Sequence, residues 1–151
     1  MSALTYAALA STPLLAGLTP AAIALLDAEG ISRNFPAGQP IVREGDPGHS
    51  FFILVEGDVD IIKRCAEGRP VLLAHLHRGT FFGEMCVVDP VPRAATVQAL
   101  TPVIAIEIRA ATLHHLFQKM PDQYAIVILT LARDMARRLR SLDEAYAARA
   151  S

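Results

Sequence analysis

Glycine-containing turns divide the middle of this chain, from residue 31 to residue 108, into short apolar segments. Several of these segments are rich in β-branched and aromatic residues or alternate apolar with polar positions, as strands of a sheet do. We predict strands at residues 39–42, 51–55, 58–64, 71–76, 94–99 and 103–108, with a hairpin loop at residues 66–69. Short strands with regular turn signals are typical of a sandwich or a jelly-roll-like β-roll. We therefore expect a small β-roll over about residues 31–109.

A long uncharged stretch, residues 7–26, precedes the predicted β-roll. Pro13, Gly17 and Pro20 interrupt it and no basic residue comes before it, which disfavours a membrane span or a signal peptide. Thr19 and Pro20 instead resemble the start of a helix, with threonine as the cap and proline at the first helical position. We predict helices within about residues 4–30 that lie on the β-roll.

The last third of the chain is expected to be helical, over about residues 110–149. Pro121 separates a short helix from a long one that contains no glycine or proline. An apolar stripe at three- and four-residue steps runs along the long helix: Ile128, Leu131, Met135, Leu139, Leu142 and Tyr146. The stripe packs on its own β-roll or, in its distal half, pairs with a second copy of the chain as a homodimer. A helix of this length extends about 40 Å, further than a small roll can cover.

Composition limits the class of protein. The net charge of −1 gives no electrostatic reason to expect nucleic acid or an anionic membrane as a partner. Cys65 and Cys86 are too few to form a disulfide framework, so we expect a reduced, cytoplasmic protein. The length of 151 residues suits one domain, residues 1–151.

Residues 82–97 bring together the groups that a small hydroxylated anion requires. Gly83 lets the backbone approach a ligand closely, and the start of a short helical turn there aims free N–H groups at negative charge. Arg93 adds a planar, permanently charged fork that matches two phosphate oxygens. Glu84 would repel a phosphate but can accept a hydrogen bond from a sugar hydroxyl. These residues predict a site for a ribose phosphate.

The same stretch, Phe-Gly-Glu followed by Pro-Arg-Ala-Ala-Thr-Val, resembles the phosphate-binding cassette of the cyclic nucleotide-binding domain family. That family includes regulatory subunits of cAMP-dependent kinase and bacterial catabolite activator proteins, and the resemblance runs from about residue 14 to residue 142. It implies that Glu84 holds the ribose 2′-hydroxyl and Arg93 the cyclic phosphate, with backbone amides of Gly83, Cys86 and Ala94 completing the cradle. The ligand-binding residues expected are Phe82, Gly83, Glu84, Met85, Cys86, Arg93, Ala94 and Ala95.

The resemblance also implies a ligand and a role. Alanine at position 94 lacks the hydroxyl that some relatives offer to guanine, which favours cAMP while leaving cGMP possible. We expect a non-enzymatic, stand-alone bacterial sensor for allosteric signal transduction, since no helix-turn-helix DNA reader follows the long helix. Ligand binding would move the C-terminal helix over the base and so regulate an unknown effector protein. Candidate lid residues are Arg133, Arg137, Arg138 and Leu142.

Two alternatives from other classes remain open. One is an interaction scaffold that keeps the fold, no longer senses nucleotide, and dimerises or recruits a partner through the long helix. The other is a cupin-like metalloenzyme, because His75 and His77 lie two apart on a predicted strand and share a face. We expect no metal, since the other histidine pair, His114 and His115, lies on a distant helix and no carboxylate is evident to complete a site.

Overall fold

The computed structural model describes the backbone of residues 3–150 and the side chains of residues 6–150. Met1, Ser2 and Ser151, at the ends of the predicted domain, lie outside the described residues. The helices are α1 (Ala3–Ser11), α2 (Pro20–Glu29), α3 (Met85–Val88), α4 (Ala110–Lys119) and α5 (Pro121–Ala150), and a 3-10 turn (Pro13–Leu15) follows α1. The strands are β1 (Ile31–Phe35), β2 (Pro40–Val42), β3 (Ser50–Glu56), β4 (Val59–Arg64), β5 (Pro70–Leu76), β6 (Phe81–Phe82), β7 (Thr96–Ala99) and β8 (Val103–Arg109).

The strands form two antiparallel four-stranded sheets, in the orders β1-β8-β3-β6 and β2-β7-β4-β5. This arrangement confirms the predicted mostly β fold with flanking helices and a long C-terminal helix. All six predicted strands are present, with bounds that move by one or two residues. The predictions missed β1, whose middle residues Ser32, Arg33 and Asn34 are polar and exposed, and the two-residue β6.

Strand β3 is buried on both faces and separates two apolar cores. Side chains alternate across a strand, so Phe51 and Ile53 face one core while Phe52 and Leu54 face the other. The second core fills the β-roll between the sheets. The first core joins the outer face of β3 and β8 to the helices, and its helical members include Leu14, Leu26, Leu113, Leu116, Val127 and Leu131. The helices therefore pack against the β1-β8-β3-β6 sheet, which also forms one wall of the roll.

The predicted helix start at Thr19 is confirmed. The Thr19 hydroxyl oxygen accepts a hydrogen bond from the Ala22 amide at 3.3 Å, and Pro20 takes the first helical position. The Thr19 amide donates to the side-chain oxygen of buried Gln123 at 2.8 Å, which ties the start of α2 to the first turn of α5. No helix within residues 3–150 is long and apolar enough to cross a bilayer.

The apolar stripe of α5 divides into two halves. Leu131 is fully buried, and Ile128 and Met135 pack against the same core. The proximal half of the stripe therefore packs against its own chain, the first of the two predicted alternatives. Leu139 and Leu142 are 61% and 67% exposed, and Tyr146 is 77% exposed. Pairing of this distal half with a second copy remains a prediction.

Candidate functional site

All eight residues that the sequence analysis named as ligand-binding line one cavity of about 260 Å³. They come from β6, α3 and the loop that leads into β7. Residues 82–95 form a folded-back segment, in which Arg93 returns to contact the Gly83 carbonyl. Residues that the sequence analysis missed complete the wall: Val42, Ile61, Lys63, Leu73, Phe81 and Val97. The cavity is thus largely apolar, with its charged groups at the folded-back segment, at Lys63 and at Arg138 of α5.

Arg93 is 7% exposed, although it carries a permanent charge. Its Nη1 donates to the Ser50 carbonyl at 2.7 Å and to the Gly83 carbonyl at 3.3 Å, and Nη2 donates to the Ser50 hydroxyl at 3.3 Å. A guanidinium has five N–H donors, so Nε–H and one N–H of Nη2 have no partner among the described residues. The protein therefore orients the buried cation through three of its five N–H groups.

Two glycines make room for this guanidinium. A Cβ at Gly48 would lie 2.2 Å from Arg93 Nε, and a Cβ at Gly83 would lie 2.7 Å from Arg93 Nη1. Gly83 also has a φ of +83°, a conformation that other residues rarely adopt. The sequence analysis attributed the glycine at position 83 to close approach of a ligand, whereas here it is the arginine itself that approaches.

A chain of hydrogen bonds extends from Arg93 to the neighbouring strand β8. The Ser50 hydroxyl, which accepts from Arg93, donates to Glu107 Oε2 at 2.6 Å, and Arg33 Nε lies 2.7 Å from Glu107 Oε1. Burial raises the pKa of Glu107, but hydrogen bonds from Ser50 and Arg33 and the positive charges of Arg33 and Arg93 outweigh it. The pKa is therefore held below its usual value. Sequence reasoning missed Ser50 and Glu107, which lie on β3 and β8 and outside the contiguous motif of residues 82–97.

Glu84 is 3% exposed and is paired with α5. Arg138 Nη1 donates to Glu84 Oε1 at 2.6 Å, and the Arg138 guanidinium lies 5.8 Å from the centre of the Phe81 ring. Arg138 Nε is also 2.9 Å from Asp134 Oδ2 one turn earlier, an ion pair without a directed hydrogen bond to that oxygen. Arg138 thus joins the carboxylate of the folded-back segment to the long helix.

Only one of the four candidate lid residues lies at the cavity. Arg138 lines it, but Arg137 points elsewhere and pairs weakly with Asp134 at 3.7 Å. Arg133 is exposed and does not line the cavity, and Leu142 lies on the exposed distal half of α5. Arg138 is therefore the one of the four that α5 brings to the cavity, where it contacts Glu84.

The remaining cassette residues differ in exposure. Cys86 is buried, with its thiol 3.5 Å from the Val91 carbonyl, and its amide makes a long 3.4 Å bond to the Gly83 carbonyl. Met85 is half exposed at the cavity rim. The Ala94 carbonyl accepts a 2.6 Å hydrogen bond from Lys63 Nζ, which brings a further positive charge to the cavity.

The expectation that no carboxylate accompanies His75 and His77 is wrong. Asp60 lies 2.9 Å from His75 Nδ1, and Asp58 lies 2.8 Å from His77 Nδ1. The cross-strand register of β4 and β5, which local sequence patterns do not reveal, brings the four side chains together. This cluster is separate from the cavity that Arg93 and Glu84 line.

Comparisons with known proteins agree with this geometry. The family model described as the cyclic nucleotide-binding domain matches residues 32–120. A CRP-like cAMP-activated global transcriptional regulator from Mycobacterium tuberculosis is 33% identical over 132 residues, which cover 87% of this chain and 57% of that protein. A cAMP-dependent protein kinase regulatory subunit from Neurospora crassa is 39% identical over 95 residues, which cover 63% of this chain and 24% of that protein.

Among solved structures, the catabolite activator protein of Thermus thermophilus superposes with a TM-score of 0.80 at 30% identity, covering 89% of this chain and 62% of that one. The chain therefore spans little more than half the length of the mycobacterial relative, and less of the kinase subunit. The family match runs from the second residue of β1 through β8 and α4, and it includes the folded-back segment with Glu84 and Arg93. On these grounds, the chain belongs to the cyclic nucleotide-binding domain family.

Proposed function

We propose that this protein is a non-enzymatic cyclic nucleotide sensor that binds cAMP in the cavity and transmits binding through α5. The observation that supports this most strongly is the buried pair of opposite charges in one cavity: an arginine held by the Ser50 and Gly83 carbonyls and a carboxylate reached by α5. The printed names of the two relatives, a cAMP-activated regulator and a cAMP-dependent kinase subunit, point to the same ligand.

The charges of the cavity suit an anionic ligand that also carries hydroxyls. Arg93, Arg138 and Lys63 are positive and Glu84 is negative among the lining residues. In our proposal the cyclic phosphate binds the free N–H groups of Arg93, while Glu84 accepts a hydrogen bond from the ribose 2′-hydroxyl. The apolar wall, which includes Val42 and Leu73, then receives the base.

The pair Glu84–Arg138 supplies a physical route from the ligand to α5. A ligand shifts a conformational equilibrium only through contacts that differ between the two states. Because a ribose hydroxyl and Arg138 both bind Glu84, ligand entry changes the contacts of Arg138 and therefore the position that α5 prefers. The distal half of α5, with Leu139, Leu142 and Tyr146 exposed, is where we expect an effector protein or a second copy to sense that change.

Preference for cAMP over cGMP rests on Ala94, which offers no side-chain hydroxyl to the base. A single neutral hydrogen bond contributes about 1 kcal/mol, equivalent to a roughly fivefold change in affinity. We therefore expect Ala94→Thr to raise cGMP affinity about fivefold and to change cAMP affinity less. An unchanged ratio of the two affinities would show that Ala94 does not set the preference.

Calorimetric titration with cAMP tests the binding site. We expect saturable binding by the wild-type protein and at least a roughly 100-fold weaker affinity for Arg93→Ala, because two or more charged hydrogen bonds of about 1.5–3 kcal/mol are lost. Arg69→Ala is the matched control, because Arg69 is an exposed arginine of the β4–β5 loop. The affinity of this variant for cAMP should equal that of wild type. Absence of binding in wild type would favour the scaffold alternative, and equal losses in both variants would refute the assigned role of Arg93.

Hydrogen exchange along α5, with and without cAMP, tests transmission. We expect cAMP to change exchange around residues 134–142 in wild type, and Arg138→Ala to retain binding while losing most of that change. Arg137→Ala, the neighbouring arginine outside the cavity, should behave like wild type. The same response in wild type and in Arg138→Ala would exclude Arg138 as the link.

A further inference from the structure

A second cluster of chemically active side chains lies on the β4–β5 hairpin. Asp60 is the cross-strand partner of His75, and Val59 pairs with Leu76, so Asp58 and His77 face each other at the next position on the same face. The rings of His75 and His77 are in edge contact, with centroids 4.6 Å apart. Two imidazoles and two carboxylates thus share one small patch.

Each histidine is oriented by its own carboxylate. An ionised carboxylate only accepts hydrogen bonds, so the Nδ1 groups at 2.8 Å from Asp58 and 2.9 Å from Asp60 are the donors. Such bonds to carboxylates are what metal-binding histidines use to fix their orientation and raise their basicity, because they leave the other ring nitrogen free for an ion. His75 keeps this arrangement through Asp60, whereas an ion bound by Asp58 and His77 would take the place of the proton that His77 Nδ1 shares with Asp58.

The donor atoms are close enough to share one ion. One ligand atom from each of Asp58, His75 and His77 lies within 4.8 Å of the other two. Zinc binds nitrogen and oxygen at about 2.0–2.2 Å, so ligands of one ion lie up to about 4 Å apart, and side-chain movements of roughly 1 Å would close the site. All three groups are at least partly exposed, so water has access to a remaining coordination position.

We propose that Asp58, His75 and His77 form a binding site for a late first-row transition metal ion such as Zn²⁺, with Asp60 orienting His75. Imidazole with a single carboxylate suits Zn²⁺, Cu²⁺ or Ni²⁺, whereas Mg²⁺ and Ca²⁺ prefer all-oxygen sites. This assignment replaces the expectation of no metal. The three ligands lie outside the cavity that Arg93 and Glu84 line.

A bound ion would connect the two strands at the end of the hairpin next to Gly57. The same hairpin supplies Ile61, Lys63 and Leu73 to the nucleotide cavity. Because an ion that binds only the folded state stabilises it, we expect saturating Zn²⁺ to raise the melting temperature. The hairpin would then be the part of the molecule whose stability depends on the metal.

Zinc titration of the complete protein by calorimetry, in a buffer that does not chelate metal, tests the site. We expect one Zn²⁺ per chain and at least a roughly 100-fold loss of affinity in the double variant His75→Asn/His77→Asn, which removes both imidazole ligands. Asp60→Asn should weaken binding about 10- to 100-fold through the orientation of His75. The double variant His49→Asn/His114→Asn removes two other exposed histidines and should bind like wild type.

Two results would overturn the proposal: no saturable zinc binding by wild type, or equal zinc affinity in the hairpin and control variants. Circular dichroism of each variant checks that the fold is retained. If His75→Asn/His77→Asn does not fold, Cu²⁺-induced broadening of histidine NMR signals in wild type replaces it. Broadening confined to His75 and His77 would then support the site, and broadening spread over all histidines would refute it.

Discussion

Gly48→Ala is expected to weaken cAMP binding without touching the ligand. The new Cβ would lie 2.2 Å from Arg93 Nε and 2.5 Å from Arg93 Cζ, whereas real contacts of this kind almost never fall below 3.0 Å. The guanidinium must therefore move by at least about 0.8 Å, the difference between 3.0 Å and 2.2 Å. Gly48 is buried beside the backbone of a tight loop, so most of this movement falls on the arginine.

The displacement is large compared with the hydrogen bonds that orient Arg93. A shift of 0.8 Å along the 2.7 Å bond from Nη1 to the Ser50 carbonyl lengthens it to about 3.5 Å, where little of the bond remains. Hydrogen bonds that involve a charged group contribute about 1.5–3 kcal/mol, so losing the equivalent of one contact to the phosphate lowers cAMP affinity about 10- to 150-fold.

A calorimetric titration compares Gly48→Ala with Gly38→Ala, in the turn between β1 and β2. Gly38 has a φ of +87° and nothing within 4 Å of an added Cβ, so its replacement strains the backbone at a turn that does not contact Arg93. We expect Gly38→Ala to lower the free energy of unfolding by about 1–2 kcal/mol and to retain cAMP affinity. If Gly48→Ala binds cAMP within twofold of wild type, or if the two variants lose affinity equally, the reasoning about Arg93 is wrong.

Three further predictions concern stability and assembly. Leu131→Ala should lower the free energy of unfolding in urea by about 2–5 kcal/mol and the half-exposed Leu129→Ala by less than about 1 kcal/mol, and equal effects would contradict the assigned packing of α5. Because the pKa of Glu107 is depressed in the folded state, its stabilisation is present above the usual pKa of 4.5 and is lost as pH falls through the lower folded value. Wild type should therefore lose more stability than Glu107→Gln below about pH 5 in pH-dependent urea denaturation, and parallel acid profiles would refute this. If the distal stripe pairs two copies, Leu139→Lys/Leu142→Lys should convert a dimer to a monomer in sedimentation with little change in stability, and a monomeric wild type would exclude the pairing.

Local sequence signals were sufficient for most of the fold. Glycine turns and apolar runs located six of the eight strands, including β5, whose apolar residues Val71, Leu72 and Leu73 are exposed. Strand β1 was missed because Ser32, Arg33 and Asn34 are exposed and the strand exists only through its pairing with β8. Strand β6 has two residues, Phe81 and Phe82, too few for any periodicity.

The site residues could be predicted where they lie in one contiguous motif, but not where the fold brings distant residues together. Glu84 and Arg93 were recognisable because they lie nine positions apart in one contiguous motif. Ser50 was not, because it lies in β3, 43 positions before Arg93 in the sequence. The choice of Arg138 among the lid candidates depends on the rotational phase of α5 and on where it crosses the roll, neither of which a helical pattern specifies.

The hydrogen bond between Arg138 and Glu84 has a consequence for the rate at which ligand enters. Glu84 is almost fully buried and its Oε1 is held by Arg138, so in our proposal Arg138 rearranges when a ribose hydroxyl takes this oxygen. Association that requires a conformational change is slower than docking to a preformed surface. We therefore expect the observed binding rate in stopped-flow experiments to level off as the cAMP concentration rises. The plateau would give the rate constant at which Arg138 of α5 releases the Glu84 carboxylate in the protein without nucleotide.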